Sequence, residues 1–317
     1  MEKMERTLAI VNSPLQAMFA LSYIKEFGIT GVDFAVPFYS LAFLKKNRGV
    51  LRYLNDESCN YKIFITKNTF AILRFYKSLN KYTRFIIGDY RSQDKRMLTL
   101  FYSEKKIEVI YVDDGNASLV VGNKQEEGFS IRTLISKILD YLLDKRIGKR
   151  LFYSAFIQEK AVLGIPVVRN ELKHFRSDKK TQDNTVVIVG CFYSAFREFG
   201  KDYEIYLQNL NHYLRGKWPS IIIKYYPHRR EDSMRRIVDI CRQFDWLVCQ
   251  SRINIETDMA QSPSFPCEIV GFGSSALFLL KIIWKDVTVT SVHFNETPEY
   301  LEIENKYRNV GINVINL

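Results

Sequence analysis

Cysteine, glycine and proline are scarce in this 317-residue sequence, and each shortage excludes a class of protein. The five cysteines are an odd number, form no CxxC pair and have no histidine at metal-ligand spacing; they are Cys59, Cys191, Cys241, Cys249 and Cys267. A disulfide scaffold is therefore excluded, and reduced thiols are typical of a cytosolic protein. With only 15 glycines and 8 prolines, the chain has no room for a long disordered or collagen-like tract.

Long apolar runs are also missing at the amino terminus. Residues 7–11 form a short apolar stretch before a polar break. This stretch is too short for the core of a signal peptide or for a membrane span. We therefore expect neither a secretory leader nor a transmembrane helix here.

Basic side chains outnumber acidic ones by 46 to 35, which gives a formal net charge of +11. A field of that sign attracts polyanions such as nucleic acid, anionic lipid and phosphorylated or acidic sugars. Local clusters occur at Lys145, Arg146, Lys149 and Arg150 and at Arg229, Arg230, Arg235 and Arg236. Such clusters also occur on plain solvated surface. Because no aromatic-rich nucleic-acid signature is present, nucleic acid is not expected as a partner.

Short β-branched runs alternate with helical stretches along the first half of the chain. The predicted strands are residues 7–11, 33–36, 61–66, 84–87 and 107–112, and the predicted helices are 14–27, 41–54 and 69–79. Strands interleaved with helices indicate an open parallel sheet that is covered on both faces.

A polar stretch at residues 176–184 separates this series from a second one. The second series has predicted strands at 185–189, 220–225, 246–249, 268–270 and 287–290, and helices at 203–214, 233–244 and 274–283. The sequence therefore predicts an α/β protein of GT-B architecture, with Rossmann-like domains at 1–180 and 181–317. Ligands are expected in a cleft between the domains, at the carboxyl ends of the strands.

One helical segment, residues 131–150, has a marked apolar face. The face consists of Ile131, Leu134, Ile135, Ile138, Leu139 and Leu142, and basic residues crowd the end of the segment. We expect the face to pack onto its own domain, with the cations near the carboxyl end of the helix. The alternative is a helix that lies on an anionic membrane surface.

Two carboxylates and a glycine, Asp113, Asp114 and Gly115, directly follow the strand predicted at 107–112. Ligands bind at the carboxyl ends of strands in such sheets. Crowding of two acids raises the pKa of one of them, which makes it a better proton acceptor. Asp-Asp-Gly is also an ordinary turn and helix-cap sequence, so a structural role stays open.

A histidine follows the strand predicted at 220–225 in the motif Tyr226, Pro227, His228, and Arg229 and Arg230 come next. An imidazole here can donate a hydrogen bond or a proton to a phosphate, and the arginines deepen the positive field. A lone histidine is more often structural, and that interpretation also stays open.

Gly271, Gly273, Ser274 and Ser275 follow the strand predicted at 268–270 and open an apolar helix. A serine cap, free backbone N–H groups and the helix dipole together form a seat for phosphate. A glycine-serine cap without phosphate is the ordinary alternative. The lysine of a P-loop and the spacing of a dinucleotide fingerprint are missing, which disfavours a kinase or a dehydrogenase.

Taken in this order, the Asp-Asp-Gly, Pro-His and Ser-Ser motifs resemble the motif set of bacterial sialyltransferases. The resemblance is to the lipooligosaccharide and capsule sialyltransferase family, which is related to the bacterial polysialyltransferases. Residues 13–16 (SPLQ) and 88–92 (GDYRS) are also similar to that group, and the resemblance spans most of the chain.

The resemblance implies an inverting transfer of sialic acid from a CMP-sialic acid donor, without metal or cofactor. The implied acceptor is a terminal galactose of a capsule or lipooligosaccharide glycan. Asp113 matches the acid that deprotonates the acceptor, Asp114 is the second candidate, and His228 matches the histidine on the donor phosphate. The implied donor-binding residues are Gly115, Pro227, Gly271, Gly273, Ser274, Ser275 and, for the ribose, Glu268.

The chain departs from the family pattern at the histidine. The family shows His followed by Pro, whereas here Pro227 precedes His228. The backbone of the histidine is therefore less constrained than in the family.

Other functions remain open at this point. The donor could be another CMP-linked nonulosonic acid, or a nucleotide-diphosphate sugar held through a divalent metal on Asp113 and Asp114, although two adjacent acids alone make a poor metal cage. A non-catalytic module that binds polyanions is a third possibility, and it would leave the three motifs unexplained.

Overall fold

The structure is a computed structural model that describes residues 5–38, 40–65, 82–115, 118, 131–175, 181–191, 196, 202–228, 234–293 and 298–317. The chain divides into two compact units, Met1–His174 and Phe175–Leu317. The helix predicted at 69–79 lies outside the described residues, as do Arg229 and Arg230.

The first unit is built on an eight-stranded sheet with helices between the strands. Its strands are β1 (Thr7–Ile10), β2 (Val32–Phe38), β3 (Tyr61–Ile65), β4 (Tyr82–Gly88), β5 (Ser103–Val112), β6 (Ile147–Ser154), β7 (Ala161–Val162) and β8 (Ile165–Arg169). Its helices are α1 (Pro14–Glu26), α2 (Leu41–Asn47), α3 (Gly49–Asp56), α4 (Gln93–Tyr102) and α5 (Ile131–Asp144), followed by a 3-10 turn at Lys173–Phe175. The strand order is β3-β2-β1-β4-β5-β6-β8-β7, and the pairs are parallel except for β7 with β8.

The central strands of this sheet are buried, as their continuous apolar sequences predict. Every residue of β1 is buried, and Phe85 and Ile87 of the adjacent β4 and Val109 of β5 belong to the same core. Helix α1 begins at Pro14 because the Ser13 hydroxyl accepts the Gln16 N–H at 3.2 Å and proline needs no donor in the first turn.

The second unit contains a six-stranded parallel sheet in the order β12-β11-β10-β14-β15-β16. These strands are β10 (Thr185–Val189), β11 (Ile222–Tyr226), β12 (Leu247–Val248), β14 (Glu268–Gly271), β15 (Thr288–Val292) and β16 (Asn313–Ile315). Strands β9 (Thr181–Gln182) and β13 (Ser264–Phe265) pair separately. The helices are α6 (Tyr203–Lys217), α7 (Met234–Gln243), α8 (Ile255–Gln261), α9 (Ser275–Ile283) and α10 (Pro298–Asn309).

The core of the second unit lies around β10 and β11. All five residues of β10 are buried, and Leu207, Leu210 and Leu214 of α6 pack into the same cluster. No helix within the described ranges is both long enough and apolar enough to cross a bilayer.

Two local predictions were wrong. The helix predicted at 41–54 is two helices, which meet at Gly49, a residue with low helix propensity. The helix predicted at 131–150 ends at Asp144, and residues 147–154 form β6, whose buried part begins only after the exposed Lys149. The polar stretch at 176–184 follows the boundary between the two units, and its described part contains the two-residue strand β9.

Gly190, directly after β10, should tolerate no side chain. A Cβ there would lie 2.6 Å from the Tyr225 hydroxyl and 2.7 Å from the Tyr226 carbonyl oxygen. The Tyr225 side chain is fully buried, and its hydroxyl is hydrogen-bonded to the Tyr203 hydroxyl, so it has little freedom to move. We expect Gly190→Ala to lower the free energy of unfolding by about 1–3 kcal/mol.

The matched control is Gly216→Ala in α6, where an added Cβ meets nothing within 4 Å. Its expected effect is a gain of up to about 1 kcal/mol, because alanine favours the helix. Urea denaturation of both variants measures the difference. Equal stability of Gly190→Ala and the wild type would contradict the assigned packing.

Candidate active site

The Asp113–Asp114 pair lies at the carboxyl edge of the first sheet, as the sequence predicts. Val112, the last residue of β5, pairs with Gly88 of β4 and with Tyr153 of β6. The three strands therefore end level with one another, and the residues that follow them lie close together. This alignment brings Asp113 next to Ser154 and Ala155.

Asp113 is a buried carboxyl whose two oxygens both accept hydrogen bonds. Its exposure is 2%. The Ser154 hydroxyl donates to Oδ1 at 2.5 Å, and the Ala155 N–H donates to Oδ2 at 2.7 Å. Burial raises the pKa of Asp113 to about 7, although these hydrogen bonds oppose the shift. From the sequence we expect crowding by Asp114 to raise the pKa of one of the two acids. In the structure the largest cause of the raised Asp113 pKa is burial of the carboxyl away from solvent.

Asp114 is the more accessible carboxylate of the pair. It is partly buried, and its Oδ1 accepts from Gln16 Nε2 at 2.6 Å. Its backbone N–H donates to the Ser118 hydroxyl at 2.9 Å. Gly115 then adopts a φ of 61°, which reverses the chain after the two acids and favours glycine at this position.

A buried lysine supports this arrangement from α4. Lys95 Nζ donates to Gln16 Oε1 at 2.7 Å and to the Gly88 carbonyl oxygen. The Asn12 N–H donates to the same Gln16 oxygen at 3.0 Å, which leaves the Gln16 nitrogen to face Asp114. Burial lowers the pKa of Lys95 to about 8, while Asp114 acts in the opposite direction. Lys95 therefore fixes the donor that holds Asp114.

The sequence analysis gave no role to Lys95 or Ser154, and it noted Gln16 only as part of a motif. A signal for Lys95 was present, because it shares the buried face of α4 with Leu98, Thr99 and Tyr102. A lysine on such a face is rarely buried without a partner.

A small pocket opens beside the two acids. Its walls combine carboxylates with the aromatic rings of Tyr90 and Phe152, whose centroids are 5.6 Å apart. The lining residues are Asp89, Tyr90, Val112, Asp113, Asp114, Ser118, Phe152 and Ile157.

In the second unit, the structure brings His228 and the glycine-serine segment to one edge of the sheet. Val189, the last residue of β10, pairs with Tyr226 of β11 and with Gly271 of β14. Pro227 and His228 come directly after Tyr226, and both are partly buried. The two motifs therefore flank the end of β10, where Gly190 keeps the edge clear of a side chain.

The glycine-serine segment forms a capped helix start. Ser274 is the N-cap of α9, its hydroxyl accepts the Ala276 N–H at 3.3 Å, and Ser275 is the first helical residue. Gly273 has a φ of 53°. A Cβ on Gly271 would lie 3.1 Å from the Val189 carbonyl oxygen, so a side chain at this strand end would have to displace its neighbours. The amino end of α9 can therefore present N–H groups and a hydroxyl to an anion.

Glu268 does not belong to this edge, and its prediction as a donor-binding residue was wrong. It is the first residue of β14, at the opposite end of the strand from Gly271. Its side chain is fully buried, and its oxygens accept from Thr290 Oγ1 at 2.6 Å and Trp218 Nε1 at 2.8 Å. Lys217 pairs with it at 2.9 Å, so this carboxylate stabilises the fold.

The described residues contain no group of three or more His, Cys, Asp or Glu side chains that could hold a metal ion.

The buried carboxyl should make stability depend on pH. The pKa of Asp113 is about 7 in the folded protein, against an ordinary value of 3.8. Its contribution is therefore fully present below pH 3.8 and is lost as pH rises through about 7. We expect the free energy of unfolding to fall by at most about 4 kcal/mol over this range from this group alone.

The measurement is urea denaturation of the wild type and of Asp113→Asn across that pH range. Asparagine does not ionise, so the slope of stability against pH should be smaller in the variant. Parallel curves for the two proteins would contradict the assigned titration.

Comparison with known proteins shows the family to which this chain belongs. The family model of the alpha-2,8-polysialyltransferases matches residues 7–293. A search of curated proteins gave no match. The match covers the chain from the start of β1 to the residue after β15.

Solved structures with a similar fold include three bacterial sialyltransferases. The α/β-galactoside α-2,3-sialyltransferase of Photobacterium phosphoreum is 12% identical, with a TM-score of 0.59 over 98% of this chain and 99% of that one. The 2,6-sialyltransferase of Photobacterium sp. JT-ISH-224, solved with CMP and lactose, is 13% identical, with a TM-score of 0.56 over 98% and 78%. The GT-B domain of a Photobacterium damselae sialyltransferase is 11% identical, with a TM-score of 0.54 over 99% and 100%.

At these identities the structural similarity establishes the fold, which is GT-B. The family match extends through both units and includes Asp113, His228 and Ser274. The chain therefore belongs to the alpha-2,8-polysialyltransferase family and is a glycosyltransferase of the sialyltransferase type.

Proposed function

We propose that the protein transfers sialic acid from CMP-sialic acid to a sugar hydroxyl in a single inverting displacement. The observation that carries the proposal is the buried Asp113 carboxyl, which lies beside a pocket at the carboxyl end of β5. A carboxyl with a pKa of about 7 can accept a proton at neutral pH, as a general base must.

In this reaction the acceptor oxygen forms a bond to the anomeric carbon of sialic acid. The bond from that carbon to the phosphate oxygen breaks, and CMP leaves with the electron pair. The hydroxyl proton passes to Asp113, while Gln16 holds the Asp114 side chain next to it. Because the anomeric carbon readily passes through an oxocarbenium-like state, positioning and charge stabilisation are the main tasks of the protein.

The second unit supplies the groups that suit the donor phosphate. We assign His228 as the proton donor or electrostatic clamp on the departing phosphate, with Pro227 next to it. Ser274 and Ser275 bind the same phosphate together with the amino end of α9, and Gly271 and Gly273 shape the turn. Gly115 shapes the corresponding turn after the two acids in the first unit.

Two observations favour different acceptor sugars. A terminal galactose of a capsule or lipooligosaccharide glycan is the acceptor that the sequence resemblance implies, and lactose accompanies CMP in one of the similar structures. The description of the matching family, alpha-2,8-polysialyltransferase, favours a terminal sialic acid instead. Parallel assays with a galactose-terminated and a sialic acid-terminated oligosaccharide distinguish them.

A cytoplasmic location and a CMP-linked donor are also part of the proposed function. Five cysteines without a disulfide suit a cytoplasmic enzyme, with peripheral contact at the inner face of the membrane. Release of CMP supports a CMP-linked donor, whereas release of a nucleoside diphosphate would favour the alternative donor class. A different nonulosonic acid on CMP is distinguished by comparing the two CMP-sugars.

Replacing the proposed base should abolish most of the turnover. We expect Asp113→Asn to lower kcat at least about 100-fold and His228→Ala to lower it by a similar factor, because each removes a proton-transfer or charge-stabilising group. In the wild type, kcat should rise as pH increases through about 7, because Asp113 then ionises. In Asp113→Asn this rise of kcat with pH should be absent.

The controls are Asp239→Asn and His212→Ala, which change exposed residues of the same types. CMP release from CMP-sialic acid is measured with each acceptor, and circular dichroism checks the fold. Equal turnover in all variants would refute the assigned roles.

Metal removal should leave the rate unchanged. A monophosphate donor bound by serine, histidine and backbone N–H groups requires no cation on its phosphate. We expect the same kcat before and after dialysis against EDTA. Loss of activity that added Mg²⁺ or Mn²⁺ restores would instead favour a metal held by Asp113 and Asp114.

A further inference from the structure

Helix α5 contacts its unit through the side that carries Ser136, Leu139 and Leu143. Arg96 of α4 donates to Asp140 at 2.5 Å and to the Ser136 hydroxyl at 3.0 Å. Only two apolar side chains of α5, Leu139 and Leu143, are buried among those the structure describes. The helix is therefore held by a buried guanidinium and two leucines.

The opposite side of α5 carries a row of large apolar side chains that face solvent. Their exposures lie between 42% and 59%, and we call them the α5 stripe: Leu134, Ile135, Ile138, Tyr141 and Leu142. Positions i, i+1, i+4, i+7 and i+8 form one continuous face of a helix. The prediction that this apolar face packs onto its own domain was wrong for all its described members except Leu139.

An exposed patch of this kind requires a partner. Isolated apolar residues are common on protein surfaces, but a contiguous row marks a surface that binds a protein or a membrane. The charge around the stripe decides between them. Residues 131–150 contain six basic and two acidic side chains. Asp140 pairs with Arg96 and Asp144 with Arg150, while Lys149 pairs with Glu108 of β5, so the basic border of the stripe consists of Lys137 and Lys145.

Cations border the stripe itself. Lys137 is exposed on the same helix, and the Lys145 amine lies 4.4 Å from the centre of the Tyr141 ring. Two copies of this surface would bring like charges together, within a chain whose net charge is already +11. An anionic surface instead satisfies both the apolar row and its basic border.

We propose that the α5 stripe docks on an anionic lipid bilayer, with α5 lying in the plane of the interface. The apolar side chains enter the boundary between headgroups and acyl chains, and Lys137 and Lys145 contact lipid phosphates. This inference is independent of the proposed reaction, because none of the assigned site residues lies on α5.

The test is flotation of the full-length chain with extruded vesicles of phosphatidylcholine alone or with about one-third phosphatidylglycerol. We expect binding to the anionic vesicles only. Leu134→Ser combined with Ile138→Ser should weaken it at least about tenfold, since two apolar side chains no longer enter the lipid. Lys137→Glu combined with Lys145→Glu should weaken it and reduce its dependence on salt.

The matched control is Ile222→Ser combined with Leu247→Ser, which removes two equally exposed apolar side chains from the second unit. All variants should transfer sialic acid to a water-soluble acceptor at the wild-type rate. Loss of vesicle binding and loss of the proposed reaction are therefore measured independently. Equal flotation of the wild type and the stripe variant would overturn the inference. Light scattering provides a second test. A wild-type dimer that becomes a monomer only in the stripe variant would also overturn the inference, because a second copy would then cover the stripe.

Discussion

The buried carboxyl of Asp113 links the carboxyl ends of β5 and β6 in the first sheet. Its two oxygens bind the Ser154 hydroxyl and the Ala155 N–H, which belong to the neighbouring strand end. These hydrogen bonds replace part of the solvation that burial removes, so the group stays close to the point of ionisation at neutral pH. A carboxyl in this state can stabilise the fold when protonated and accept a proton when ionised.

Each unit, taken by itself, carries a different kind of charge-stabilising group at the carboxyl edge of its sheet. The first unit concentrates acids and holds them through Gln16 and Lys95. The second concentrates donors: an imidazole after β11, and hydroxyl and N–H groups at the start of α9. Both sets sit at the carboxyl ends of parallel strands, where helix amino ends and free side chains meet. Sugar transfer from a phosphate donor requires a base on one partner and anion-binding groups on the other.

Helix α5 shows that amphipathicity alone does not fix which face of a helix is buried. The larger apolar face is exposed, and the side that faces the unit carries the buried Leu139 and Leu143 and the Ser136 hydroxyl, which accepts from Arg96. A guanidinium that is almost fully buried must be paired, and this requirement determines how the helix docks. The apolar face remains outside, with basic residues along its border.

The strands that precede the candidate motifs, and the motifs themselves, were determined by the sequence. Residues 185–189 form β10 as predicted, and Asp113, His228 and Ser274 were found because each closely follows an apolar run. The contacts that tune them could not be predicted, because Gln16 reaches Asp114 across 98 residues and Lys95 reaches Gln16 across 79. The same holds for Glu268, whose partners lie on α6, on β15 and just beyond α6. Periodicity reports local burial, whereas hydrogen-bond partners and buried charges are chosen only when distant segments pack together.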